Sequence, residues 1–149
     1  MIALVRVTSD HPAFRPLTEA LDAELRGRYG DVQAQYAPFN HIAGLPTALL
    51  AMDGDDAIAC GCFRPYDATT VELKRMFVRP DRRGERIAGR LVTELEAWAH
   101  ELGFTRVLLE TGNLQVEAVA AYTRAGYAII EPFGPYAGMP ASICMAKAL

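Results

Sequence analysis

Several things that would mark other classes of protein are missing from this chain. No stretch approaches the roughly 18 consecutive apolar residues that a membrane-crossing helix needs. The first residues, Met1-Ile2-Ala3-Leu4-Val5-Arg6-Val7, carry neither a basic leader nor a small-residue cleavage site, so they read as a strand and not as a signal. Cysteine is scarce: Cys60, Cys62 and Cys144 are odd in number and show no CxxC spacing. That argues against a disulfide framework and against a zinc or other metal site, and the expected location is cytoplasmic. The histidines, His11, His41 and His100, are scattered and give no thiol a neighbouring base. The cysteines therefore read as buried small hydrophobes. Internal repeats, low-complexity runs and linkers are absent, as are a GxxxxGK(S/T) phosphate loop and a dinucleotide GxGxxG. With a net charge of −3, a general nucleic-acid partner is disfavoured, and no membrane partner is expected.

What is present fits one domain over residues 1–149, in which 51% hydrophobic residues suffice for a core. Residues 2–7 are a first strand. Residues 12–28 place Phe14, Leu17, Leu21 and Leu25 at helical period. Residues 29–46, with Gly30, Pro38, Gly44 and Pro46, form a loop or broken helix. Strands at 47–52 and 57–64 flank the hairpin turn Asp53-Gly54-Asp55-Asp56, and 70–79 is the third strand of that meander. The clearest helix is 86–102, with Ile87, Leu91, Leu95, Trp98 and Leu102 on one face and Gly103 at its end. A strand at 106–110, a helix at 114–125 ended by Gly126, and strands at 127–130 and 142–147 complete the chain. The order β-α-β-β-β-α-β-α-β-β predicts an α/β (α+β) fold: a mixed, mainly antiparallel sheet of about seven strands with helices on both faces.

Seven of the 15 basic residues fall between Lys74 and Arg90: Lys74, Arg75, Arg79, Arg82, Arg83, Arg86 and Arg90. Charge alone is consistent with a solvated loop or with a site for a polyanionic cofactor. The surrounding segment runs from a strand into Pro80, through a turn with Gly84, and directly into the helix at 86–102. The first amides of a helix have no internal acceptor and lie at the positive end of its dipole, so a glycine-containing turn there can aim several N–H groups at one anion. A structural turn and a phosphate site are equally served by that pattern.

At this point the sequence resembles the GNAT superfamily of acyl-CoA-dependent N-acetyltransferases. The family's pyrophosphate signature, (R/Q)-x-x-G-x-(G/A), follows a strand ending in a V-x-P-like segment. Here Val78-Arg79-Pro80 precedes Arg83-Gly84-Glu85-Arg86-Ile87-Ala88, with Arg86 standing where the family has glycine. Glu72-Leu73-Lys74-Arg75-Met76-Phe77-Val78 is similar to the family's fourth strand, and Leu108-Leu109-Glu110-Thr111 to its fifth. The run from Ala118 through Tyr122 to Gly126-Tyr127 is similar to its A-x-x-x-Y-x-x-x-G-(F/Y) ending. The resemblance covers roughly residues 47–149. It implies acetyl-CoA as donor, admitted where the fourth and fifth strands splay. The backbone of Met76, Phe77 and Val78 would pair with pantetheine, and the segment Arg83, Gly84, Glu85, Arg86, Ile87, Ala88, Gly89 and Arg90 would hold pyrophosphate. Gln115, or Asn113 beside it, stands where the family often has a cofactor-binding asparagine; either is also a candidate helix cap or loop residue.

Acyl transfer to an amine requires loss of an ammonium proton, stabilisation of the oxyanion and protonation of the leaving thiolate. Glu72, 11 residues before Arg83 as in the family's histone-modifying members, is the candidate base. A strand glutamate paired with Lys74, Arg75 or a facing arginine is the structural alternative. Strand alternation would put Glu72, Lys74 and Met76 on one face. Tyr122 shares a helix face with Ala118, Ala121 and Ala125, and the resemblance makes it the proton donor to the CoA sulfur as well as a cofactor contact. The acceptor would be an amine of a small molecule or peptide, lined by Tyr29, Tyr36, Phe39, His41 and Tyr136 in two aromatic-rich loops. A homodimer is left open. The alternative from the same fold is a non-catalytic acyl-CoA-binding or regulatory module, for which Arg86 in place of glycine is the main argument.

Overall fold

The computed structural model describes residues Met1–Leu149. The elements follow the expected order: β1 (Ile2–Val7), α1 (Phe14–Tyr29), a short helical turn α2 (Gln33–Tyr36), β2 (Ala48–Asp53), β3 (Asp56–Pro65) and β4 (Thr70–Val78). Then come α3 (Ile87–Glu101), β5 (Arg106–Gly112), α4 (Val116–Arg124), β6 (Ala128–Ile130) and β7 (Ser142–Ala148). The seven strands form one sheet in the order β1-β2-β3-β4-β5-β7-β6. Only β4 and β5 run parallel; every other neighbouring pair is antiparallel. The segment 29–46 is a broken helix, in which α2 lies between two 3₁₀ turns.

Each face of the sheet buries its own cluster. Helix α3 packs Ile87, Leu91, Leu95 and Ala99 against Leu49, Ile58, Phe63, Val71 and Leu73. Its stripe recurs every four residues and stops with the helix, so Leu102, expected on that face, sits beyond it and is 56% exposed. On the other face α1 lays Phe14, Leu17 and Leu21 over Leu50, Cys60, Cys62 and Phe77. Removing such side chains from water supplies roughly 1.5–3 kcal/mol each, which is what seats the two helices.

Two irregularities in β4 create the space between them. The parallel ladder covers only Thr70↔Arg106, Val71↔Val107 and Glu72↔Leu108, after which β4 continues to Val78 and β5 to Gly112 without pairing. On the β3 side the register jumps from Cys62↔Lys74 to Cys60↔Phe77, so Arg75 and Met76 bulge opposite Gly61. Arg75 takes a left-handed conformation (φ 58°), unusual for a non-glycine residue. Its guanidinium is buried and donates to Thr18 O and Asp22 Oδ1 of α1, both at 2.8 Å. The bulge overturns the expected alternation. Glu72 and Lys74 face α1, but Met76 is carried to the α3 side, where its sulfur lies over Gly61 beside Leu95.

The end of β5 is held by a close approach. A Cβ added at Gly112 would fall 1.7 Å from Tyr29 Oη and 2.4 Å from Cζ, because the tyrosine lies directly over the glycine. Tyr29 Oη there accepts the Leu114 amide at 3.0 Å, while Arg28 pairs with Glu117 of α4. Gly112→Ala should therefore displace Tyr29 and lower stability by about 1–3 kcal/mol, seen as a lower denaturation midpoint. An unchanged midpoint would mean that Tyr29 does not pin this corner.

Candidate functional site

A cleft of about 1160 Å³ opens beside the free end of β4, bounded by Met76–Val78, the turn at 82–86, the first turns of α3 and one face of α4. This slightly exceeds the 300–1,000 Å³ usual for small-ligand pockets and suits an extended cofactor. At the turn, the amides of Gly84, Glu85, Arg86, Ile87, Ala88 and Gly89 find no acceptor in the protein, and they converge at the positive end of α3. Arg86 caps the helix with φ 60° and ψ 26°, so its backbone is left-handed and not in the ordinary helical region expected of it. Glycine adopts that conformation freely, which is the physical reason for glycine at this place in the resembled motif.

The basic cluster is mostly neutralised within the fold. Arg79 pairs with Asp56 and Asp81, Arg82 with Asp53 and Glu85, and Arg75 with Asp22. Arg83 turns back over Phe77, donates from Nε to Val78 O at 2.9 Å and pairs with Glu24 at 2.8 Å. The Val78 carbonyl is thus occupied by Arg83, while the β5-facing edge of Met76–Phe77 has no strand beside it. Arg86 and Arg90, one helical turn apart at the cleft, take part in no ion pair; Arg90 donates only to Ile2 O at 3.2 Å.

Tyr122 stands at the inner end of this cleft with Ala118 and Gln115, and these three also line a smaller adjoining pocket of about 110 Å³. Its hydroxyl has no hydrogen-bond partner in the protein, and burial pushes its pKa upward, keeping the proton on oxygen. Tyr127 meets its ring edge-on at 5.8 Å. Gln115 is the N-cap residue of α4, its carbonyl accepting the Ala118 and Val119 amides, but its side chain makes no cap bond. Its Oε1 accepts the Gly112 amide at 2.9 Å and the Thr111 hydroxyl at 3.2 Å, closing the turn after β5. Asn113 is exposed beside it.

The smaller pocket lies on the α1 face of the splay. Glu72, only 3% exposed, accepts Arg64 Nε and Nη2 on Oε1 at 3.2 Å and Lys74 Nζ on Oε2 at 3.5 Å. The alternative of a paired strand glutamate thus describes its contacts, with Arg64 as the facing arginine. Tyr136 joins them, its oxygen 2.9 Å from Lys74 Nζ and 3.4 Å from Glu72 Oε2. Phe39 packs edge-on against Tyr136. Across the gap, Glu110 on β5 accepts the Ser142 hydroxyl at 2.7 Å, and Ser142 lies 3.2 Å from Tyr36 Oη. Burial raises the Glu110 carboxyl pKa, against the lowering effects of Ser142 and Lys74. His41 is exposed and forms no hydrogen bond, and Tyr29 is engaged at the α1–α4 corner. Sequence reasoning did not single out Glu110 and Lys74, which line the pocket, or Arg64 and Ser142, which bond to its carboxylates; the signal was a glutamate near the open end of a mainly apolar strand.

The cysteines are all buried. Cys60 and Cys62 donate to the bulge carbonyls of Arg75 and Lys74 at 3.4 and 3.3 Å, and burial pushes the Cys62 thiol up to about 12. Such thiols are poor nucleophiles. No group of acidic, histidine or cysteine side chains is arranged to hold a metal ion, and no helix is long and apolar enough to cross a membrane.

Comparison with known proteins agrees with this geometry. The model of the Acetyltransferase (GNAT) family matches residues 14–127. An IAA acetyltransferase of Azospirillum brasilense is 34% identical over 156 residues, covering 99% of this chain and 98% of that protein. A Klebsiella pneumoniae protein assigned as an acyl-CoA N-acyltransferase superposes with a TM-score of 0.83 at 31% identity, over 100% of this chain and 98% of its own. A GNAT family acetyltransferase from Elizabethkingia anophelis, solved with acetyl-CoA bound, shares the fold with a TM-score of 0.72 at 19% identity, over 99% and 98% of the two chains. With the splayed sheet, the unbonded helix-start amides and these relatives in agreement, the chain belongs to the GNAT family and is an acyl-CoA-dependent acetyltransferase.

Proposed function

We propose that the protein transfers an acetyl group from acetyl-CoA to a primary amine of a small molecule or peptide by direct attack within a ternary complex. The observation that carries this reading is the position of Tyr122, whose side chain lines both the large cleft and the small pocket. A thioester entering along the cleft reaches Tyr122 from one side and an amine in the small pocket reaches it from the other.

In this account the amides of residues 84–89 hold the cofactor pyrophosphate, Arg86 and Arg90 add charge-assisted contacts to its phosphates, and the open edge of Met76–Phe77 pairs with pantetheine. The incoming ammonium gives one proton to a carboxylate, and the amine lone pair then forms a C–N bond at the thioester carbonyl. As the C–S bond breaks, the sulfur takes a proton from Tyr122, which recovers one from the attacking nitrogen. The products are an amide, free CoA thiol and the proton left on the carboxylate. Glu72, expected as the base, has both oxygens engaged by Arg64, Lys74 and Tyr136. We assign proton acceptance to Glu110, whose only hydrogen bond comes from Ser142, and give Glu72 the task of holding Lys74 in place.

Three results test the proposal. Tyr122→Phe keeps the ring and removes the proton, so turnover should fall tenfold or more while the denaturation midpoint and acetyl-CoA affinity stay near wild type; normal turnover would remove Tyr122 from the mechanism. Glu110→Gln should lower turnover by about 10²–10⁴ near neutral pH. Because burial raises the Glu110 pKa, the acid limb of kcat/KM in the wild type should lie above the ordinary carboxylate range and vanish in the variant. The deficit should also shrink at high pH, where the amine deprotonates unaided; a uniform loss across pH would contradict the assignment. Finally, Arg86→Glu with Arg90→Glu should weaken acetyl-CoA binding at least tenfold by calorimetry, whereas Arg86→Gly, which loses one charge but keeps the backbone amide, should weaken it much less and raise stability.

A further inference from the structure

The charges around the small pocket do not cancel locally, and their imbalance describes the acceptor. On the β3–β4 wall two cations share one carboxylate: Arg64 takes Glu72 Oε1 through two nitrogens at 3.2 Å, leaving Lys74 a long 3.5 Å contact to Oε2. The shorter bond of Lys74, 2.9 Å, goes to the neutral Tyr136 hydroxyl. The neighbouring Arg75 is engaged by Asp22 on α1 and relieves nothing here. That wall carries a surplus of one positive charge at a side chain only 5% exposed. On the β5–β7 wall Glu110 meets the Ser142 hydroxyl and no cation, a surplus of one negative charge. Because β4 and β5 have parted after Glu72 and Leu108, Lys74 and Glu110 form no ion pair with each other. Both line the same pocket of about 110 Å³, within reach of Tyr122. Burial works against each charged form, lowering the Lys74 pKa and raising that of Glu110, as expected for charges facing a gap without full partners.

We propose that the acceptor is a small zwitterion, an amine carrying a carboxylate a few bonds away, as in a free amino acid. Its ammonium sits on Glu110 and its carboxylate on Lys74. This rests on the acetyl-transfer reading above and narrows its substrate class. One such molecule supplies a directly contacting counter-charge to both at once, where in the protein alone each buried group has neutral hydroxyl or long-range partners and the two attract each other only across the gap. A simple amine leaves Lys74 uncompensated. Discrimination against ligands that leave a buried polar group unpaired is large, reaching about 10⁴–10⁵ in favourable sites.

The test uses the purified protein, acetyl-CoA and matched acceptor sets: free phenylalanine and leucine, their C-terminal amides, and the decarboxylated amines. CoA thiol release gives kcat/KM. The amino acids should exceed their amides and amines by tenfold or more, although the amide's less basic nitrogen is the better supplied with free base. Lys74→Met, apolar and of similar length, should bring the sets toward parity, lowering kcat/KM for the amino acids at least tenfold more than for the amides, chiefly through KM. The wild-type comparison stands even if the variant folds poorly. Amides or amines used as well as the amino acids, or a preference that survives in a folded Lys74→Met protein, would overturn the proposal while leaving acetyl transfer intact. No thiol release with any amine, in a protein that binds acetyl-CoA by calorimetry, would contradict both.

Discussion

Strands β4 and β5 are the only parallel pair in the sheet, and they hold each other for three residue pairs before separating. Everything functional in the molecule depends on that release. Had the ladder continued, backbone groups of Met76–Val78 would have been consumed in pairing and no gap would lie between the two helical layers. The bulge at Arg75 keeps the strands apart, since it turns the end of β4 and moves Met76 to the α3 face. A bulge of this kind leaves carbonyls without ladder partners, and here the thiols of Cys60 and Cys62 approach two of them. The two cysteines of β3 thus have a local structural use.

Two arginines sit in left-handed backbone, Arg75 at the bulge and Arg86 at the start of α3, and they are the only non-glycine residues that do. Each such conformation costs about 1–2 kcal/mol. Arg75 is compensated by the bonds its buried guanidinium makes to Thr18 O and to the half-exposed Asp22 carboxylate. Arg86 has no ion-pair partner in the protein, and its strain lies among six amides that have no acceptor in the protein, beside the cleft. Strain kept at a site and offset elsewhere is a familiar mark of a binding surface. The neutralisation of Arg79, Arg82 and Arg83 by nearby carboxylates carries a second lesson. Most side chains of the arginine-rich loop brace it against β2, β3 and α1, which leaves the unbonded backbone amides as its main means of meeting an anion.

The parts of the fold that follow a simple period were legible in the sequence. The stripe Ile87, Leu91, Leu95 reports α3, the Asp53–Asp56 turn reports the hairpin, and the change from meander to crossover reports the single parallel pair. The bulge was not legible, because alternation counts residues and an arginine in left-handed backbone leaves no compositional trace; hence the error over Met76. The turn at 83–88 could be read as an anion site, but not the conformation of Arg86, which only the missing glycine hinted at. Glu110 and Lys74 escaped notice for a different reason. Their significance lies in facing each other across a gap, with Arg64, Ser142 and Tyr136 deciding their charge balance, and such relations have no signature along the chain.

Direct transfer at the junction marked by Tyr122 is the central claim, and bisubstrate kinetics test it most directly. Initial rates over a grid of acetyl-CoA and acceptor concentrations should give intersecting double-reciprocal lines, because donor and amine must be bound together and the buried thiols are protonated. Parallel lines, with an acetylated enzyme detected by intact mass after incubation with acetyl-CoA alone, would show that the acetyl group first passes to the protein and would contradict the account.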